Sequence, residues 1–237
     1  MPLSTWFAAM WFVTSQKDGA SALGMQRVLG LGSYQTAWAW LHKLRHAMVR
    51  PGRDRLRGRI EVDETYIGGT DVGGKRGRGS EKKEIVAIAV EVHSPKGFGR
   101  VRMRRIDDVS GESLVPFVCE VAEKGSHILT DGWLAYNKLS SCGYTHHKVS
   151  LSDAGDPAHI SMPGVHRVAA LVKRWLLSTH QGSVSPKHLE YYLDEYTFRF
   201  NRRSSRSRGL LFYRLMQQAV MTQPLPYREI VERNHNM

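Results

Sequence analysis

Three strand-like segments follow one another with no helix between them, and this order limits the folds open to the chain more than any other feature. RIEVDETYI (59–67) alternates apolar and polar residues, IVAIAVEVH (85–93) is a continuous apolar run, and RVRMRRI (100–106) follows the turn SPKGFG (94–99). Strands joined by short connections pair antiparallel. The pattern then changes to a helix over ESLVPFVCEVAEKG (112–125), a short strand HILTD (127–131), a helix or turn at GWLAYNKL and a short strand THHKV. Two strong helices follow, GVHRVAALVKRWLL (164–177) and PKHLEYYLDEYTFRFNRR (186–203), the second with Ser185 as cap and Pro186 in its first turn. Strands that pair first and then alternate with helices predict an α/β fold, a mixed sheet flanked by helices.

The first fifty residues read as a small all-helical unit. SALGMQRVLG (21–30) is amphipathic, and YQTAWAWLHKLRHAM (34–48) sets Trp38, Leu41 and Leu44 at helical spacing, with Ser33 as its cap. Two helices joined by a glycine-bearing turn suggest a helix-turn-helix over 1–50, whose second helix would offer Tyr34, Gln35 and Thr36 to a DNA groove. A helical hairpin that binds no DNA has the same pattern. Pro51-Gly52 and RDRLRGR form a basic linker over 51–59; the sheet domain is expected over 60–203, and a basic tail with a short helix over 204–237.

Charge narrows the class of partner. The chain has 34 Lys+Arg against 22 Asp+Glu, a net +12, and a pI near 9.9. Such an excess favours a polyanion, most simply nucleic acid. The two cysteines, Cys119 and Cys142, form no CxxC pair, which argues against a zinc ribbon or a disulfide framework and fits a reducing cytosol. The start MPLST lacks the basic region of a secretory signal, and WFAAMWFV (6–13) is far shorter than the ~20 residues that span a bilayer.

Two acids stand at unusual places. Asp63 lies inside the first strand, flanked by Val62 and Tyr66, and is followed by Glu64; Asp131 ends HILTD directly before Gly132. Ligand sites in α/β sheets lie at the carboxyl ends of strands. Two carboxylates on neighbouring strands repel unless a cation lies between them, so the pair predicts an oxygen-rich divalent metal site. Asp131 alone also fits an ordinary Asp-Gly turn. On the helix 164–177, Val165, Val168, Ala169, Val172 and Leu176 define a core face, while His166 and Lys173 share a stripe on its flank, two turns apart. From spacing alone, these two are equally a surface histidine and a solvated lysine.

VDETYIGG (62–69), TDGWLAY (130–136), LVKRWLLSTHQGSVSPKHL (171–189) and YLDEYTFRFNRR (192–203) resemble, in this order, motifs of bacterial insertion-sequence transposases of the DDE type. The resemblance covers roughly residues 15–205. It implies a ribonuclease H-like catalytic domain in which Asp63 and Asp131 hold two divalent ions, Mg²⁺ or Mn²⁺. It further implies that His166 supplies the third ligand and Lys173 the accompanying basic residue. An imidazole at that position removes one negative charge and suits Mn²⁺ better than Mg²⁺. Asp194 and Glu195 lie in a family motif and are rival third acids, although Glu195 also reads as a structural partner of Arg199.

The expected reaction is metal-dependent cleavage and strand transfer at insertion-sequence ends, with double-stranded DNA as partner and a homo-oligomer on that DNA. The expected location is the bacterial cytoplasm, associated with the nucleoid. The loop GGKRGRGSEKK (73–83), with Lys75, Arg76, Arg78, Lys82 and Lys83, and the stripe Arg100, Arg102 and Arg104 are expected to grip the DNA backbone; the loop also reads as a solvated hairpin. Gly68 and Gly69 let the chain turn after the first strand. Relatives often begin with a cysteine-bearing zinc ribbon, and this chain has none, so either its start is truncated or its end recognition is simpler. An inactive relic that only binds DNA, or a nuclease of the same fold, are the rival functions.

Overall fold

The computed structural model describes residues 1–50, 52–68, 83–93, 97–149, 161–180 and 184–232. The chain divides into two compact units, one formed by Met1–Arg53 and Trp175–Met237, the other by Asp54–Arg174. This division differs from the expected boundaries, because the helical unit takes both ends of the chain and the sheet unit ends well before residue 203.

The sheet unit holds β1 (Arg59–Ile67), β2 (Glu84–Val92), β3 (Phe98–Ile106), β4 (His127–Asp131) and β5 (Thr145–Val149) in the order β3-β2-β1-β4-β5. β1 to β3 pair antiparallel, with Asp63 opposite Ile88, and β4 and β5 run parallel to β1. This is the mixed sheet expected from the element order. Alternation along β1 sends Ile60 and Val62 into a core with Leu114, Phe117 and Val118 of α4, a helix over Gly111–Val121. Ser110 caps α4 by accepting from the Ser113 N–H. The same alternation sends Glu61 and Asp63 to the opposite face. After β1, Gly68 turns the chain with φ 145°, a region that favours glycine; Gly69 lies outside the described residues. The segment after β4, expected as a helix or turn, is a 3₁₀ run over Leu134–Cys142 that buries Tyr136 and Leu139.

The helix α5 spans Pro163–His180 and starts on proline, where a missing N–H costs nothing. Val165, Val168, Val172 and Leu176 are buried, as the spacing predicts. Its start is tied to β1. Glu61, only 1% exposed, accepts the Val165 N–H at 2.9 Å and a second bond from Gly164. Burial raises the Glu61 pKa above the ordinary carboxylate value, and these two donors offset only part of the rise. Gly164 is required by this closeness: a Cβ there would meet Glu61 Oε2 at 2.9 Å and Phe98 at 3.2 Å.

The helical unit contains α1 (Leu3–Ser15), α2 (Ala22–Leu29), α3 (Tyr34–Ala47), α6 (Leu189–Phe200), α7 (Arg208–Met221) and α8 (Tyr227–Glu232). α2 and α3 form the expected hairpin. Gly30 ends α2 at φ 61°, and the Ser33 hydroxyl accepts the Thr36 N–H at 3.1 Å. Met25, Trp40, Leu41 and Leu44 share one core with Phe198, Leu211 and Leu215, and Trp6 stacks on Trp40 at 3.8 Å. The segment expected as a tail is therefore built into this core through α7. At its centre Glu195 is wholly buried and takes Arg45 Nε at 2.8 Å and Arg199 Nε at 2.9 Å.

Burial alone would raise the Glu195 pKa, but Arg199 and Arg45 reverse this and hold it at about 2, against an ordinary 4.5. A depressed folded pKa means that the carboxylate's contribution is complete above about pH 4.5 and is lost as pH falls toward 2. Glu195→Ala is expected to cost ~3–5 kcal/mol at pH 7, by urea denaturation, because it removes the carboxylate shared by the buried Arg45 and the partly buried Arg199. Its unfolding free energy should also lose much of the wild-type fall between pH 4.5 and 2. Gly164→Ala is expected to lower the melting temperature, although alanine is favoured by ~1 kcal/mol in a helix interior, because the added methyl collides with Glu61 and Phe98. A rise in melting temperature would contradict the tight seat described for α5.

Candidate active site

The two aspartates come from neighbouring parallel strands. β1 and β4 pair with Glu61 opposite Leu129, and this register carried two residues on sets Asp63 level with Asp131 and on the same face. Each carboxylate is oriented by a backbone donor: Asp63 Oδ1 accepts the Glu64 N–H at 2.9 Å, and Asp131 Oδ1 accepts the Trp133 N–H at 3.1 Å. Both sit half-buried.

His166 arrives from α5. Because Glu61 holds the Val165 amide, the next residue is delivered beside Asp63, two positions along β1. His166 Nδ1 lies 3.9 Å from Asp63 Oδ2. That is too long for a hydrogen bond. It leaves the two side chains near enough for both to reach a cation bound beside them. Lys173, two turns further along α5, has its pKa lowered by partial desolvation and by Lys83, while Asp63 opposes the shift.

Tyr136 closes the group from the other face of β1. Its hydroxyl is buried and donates to Glu64 Oε2 at 3.2 Å. Burial, followed by Glu64, Asp63 and Asp131, raises its pKa well above the ordinary value, so the phenol stays protonated and acts as a donor. Three carboxylates therefore bear on one hydroxyl. This gathering of negative charge, together with an imidazole, fits a hard divalent ion with oxygen and nitrogen ligands. Among the described residues, however, no three His, Cys, Asp or Glu side chains close into a metal-sized cluster. The structure brings Asp63 and His166 together and sets Asp131 level with them on the next strand.

Sequence reasoning missed Glu61 and Tyr136 as site residues. Tyr136 had a signal, since it ends the TDGWLAY motif. Glu61 had none, because nothing local says that a strand glutamate will hold the start of a helix a hundred residues later. The rival acids fall elsewhere. Glu195 is committed to Arg45 and Arg199, and Asp194 is its neighbour on α6.

The expected DNA contacts are distributed unevenly. Tyr34 is 49% exposed and Gln35 is exposed at the start of α3, whereas the Thr36 hydroxyl lies 2.9 Å from Ser33 Oγ within the helix cap. Lys75, Arg76, Arg78 and Lys82 lie outside the described residues; Lys83 is half-buried near Lys173. The arginine stripe has partners within the protein. Arg100 binds the Glu91 carboxylate at 2.7 Å. Arg102 is only 5% exposed and donates to the carbonyls of Val101 and Asp54. Arg104 pairs with Glu120 and lies over the Phe117 ring. Carboxylates on β2 and α4 thus face Arg100 and Arg104, while backbone carbonyls hold Arg102.

No curated protein matches the chain. Among solved structures, the chain is similar to one in a simian T-cell lymphotropic virus intasome in complex with PP2A regulatory subunit B56 gamma, at 15% identity and a TM-score of 0.39, over 87% of this chain and 74% of that one. No helix among the described residues is long and apolar enough to cross a membrane. Residues 55–201 match the ISXO2-like transposase domain along more than half of the chain, and the chain belongs to that family.

Proposed function

We propose that this protein is a DNA transposase that cuts and joins DNA strands at insertion-sequence ends with the help of divalent ions. The observation that carries this reading is the approach of His166 to Asp63, with Asp131 level on the adjacent strand. Asp63, Asp131 and His166 would hold Mg²⁺ or Mn²⁺. When bound, the metal supplies charge neutralisation at the scissile phosphate and lowers the pKa of an attacking hydroxyl. The protein's own residues do the rest. The backbone donors at Glu64 and Trp133 fix the carboxylates. Tyr136 orients Glu64. Lys173, exposed on the same stripe as His166, contacts a phosphate next to the reacting one. Phosphoryl transfer needs mainly this positioning and charge.

Tyr34 and Gln35 at the start of α3 are proposed to read element ends, and two or more copies are proposed to assemble on the DNA. A second reading, a relic that binds DNA without cutting it, is favoured by the lack of a closed three-residue cluster among the described residues.

Asp63→Asn is expected to reduce Mn²⁺-dependent strand transfer by more than the ~10–100-fold that a supporting residue costs, while leaving DNA affinity within about twofold, since neutralising an acid does not weaken phosphate contacts. The assay joins a labelled 3′-hydroxyl end to a target duplex. Cutting without joining would indicate a nuclease, and wild-type rates in the variant would remove Asp63 from the chemistry.

A further inference from the structure

The positive charge of this chain is not where its proposed chemistry is. The helical unit holds 15 Lys+Arg against 6 Asp+Glu, a net +9, and the sheet unit holds 19 against 16, a net +3. Within the helical unit the excess is concentrated further. No carboxylate occurs between Glu195 and Glu229, a stretch that carries Arg199, Arg202, Arg203, Arg206, Arg208, Arg214 and Arg228.

Packing draws several of these cations together. Gln218 on α7 donates to the Ala47 carbonyl at the end of α3 at 3.2 Å, and Arg202 Nη2 donates to Gln218 Oε1 at 3.3 Å. One glutamine therefore joins the end of α3, the end of α6 and the side of α7. Arg50 follows Ala47 by three residues, and Arg214 precedes Gln218 by one helical turn. Both lie close enough to Arg202 to act on its charge: burial, then Arg214 and Arg50, lower its pKa to about 10.

Two of the arginines are held rigid. Arg202 stacks 4.1 Å from the Phe198 ring centre and donates to the Phe198 carbonyl at 3.1 Å. Arg203 stacks 4.1 Å from the Phe200 ring centre and donates to the Phe200 carbonyl at 2.9 Å. A guanidinium fixed on an aromatic face loses little further entropy when it meets a phosphate. Arg206, Arg208 and Arg214 are exposed and form no ion pair among the described residues. Stability does not call for gathering exposed cations around a partly buried one, since like charges repel. A polyanion offsets that repulsion.

We propose that Arg50, Arg202, Arg203, Arg206, Arg208 and Arg214 form a docking face for the phosphate backbone of duplex DNA, separate from the residues at the start of α3. It rests on the reading of this chain as a DNA-processing protein and adds where the duplex is held. The face carries arginines on stacked rings and no exposed carboxylate within its stretch of chain, so it grips phosphates without reading sequence.

The test uses the full chain and a fluorescent 30-bp duplex of random sequence, with affinity measured by anisotropy across a KCl series. Each phosphate contact contributes about −0.9 to the slope of log affinity against log salt. The triple variant Arg206→Gln/Arg208→Gln/Arg214→Gln is expected to flatten the slope by about 2 to 3 and to bind at least ~10-fold more weakly near 0.1 M salt. The single variants Arg206→Gln and Arg208→Gln, which change exposed side chains, should each flatten it by about 1. An unchanged slope and affinity in all three overturns the proposal, as does tighter wild-type binding to single-stranded RNA of equal length. A flattened slope in a protein whose wild type joins no strands would leave this face standing and remove the transposase reading. An unchanged slope in a protein that joins strands would do the reverse.

Discussion

The bond between the Glu61 carboxylate and the start of α5 is the constraint from which the rest of the site follows. A buried acid is costly without partners, and Glu61 finds them in the amides of Val165 and Gly164. A helix start leaves such amides unsatisfied, so each group meets the other's need. The bond also sets a position along the helix. With Val165 fixed over Glu61, His166 falls next to Asp63 and Lys173 follows on the same stripe. Gly164 is part of the same arrangement, because any side chain there would push the helix away from β1.

A second buried carboxylate organises the helical unit in a different way. Glu195 is surrounded by Arg45 and Arg199 from helices far apart in sequence. Its role is to neutralise and tie, and Arg45 also lies 4.1 Å from the Tyr192 ring centre. The two acids show why residue type alone does not identify a site. Glu61 and Glu195 are both buried, yet one meets the amides at a helix start and the other meets cations.

Much of the sheet was legible because its signals are local. Alternation in RIEVDETYI gave both the strand and the face on which Asp63 lies, and the acids at 63 and 131 stood out against a strand background. The arginine stripe shows what such local signals leave out. Alternation shows that Arg100, Arg102 and Arg104 share a side, but not that Glu91 and Glu120 cover it. The end of the chain was misread because Leu211 and Leu215 mark a buried face only when Trp40 and Leu44 are there to receive it.

By itself the sequence determined the order of the elements, the mixed character of the sheet, the acids at strand positions and the basic excess, since each rests on spacing or composition within a short window. Tertiary structure alone decided which strand lies beside which, which carboxylates meet cations and which meet amides, and which arginines remain open to a polyanion. Those outcomes depend on contacts between separate elements, some of them a hundred or more positions apart, as for Glu61 with Val165 and Arg45 with Glu195, and no local pattern encodes the partner on the other side.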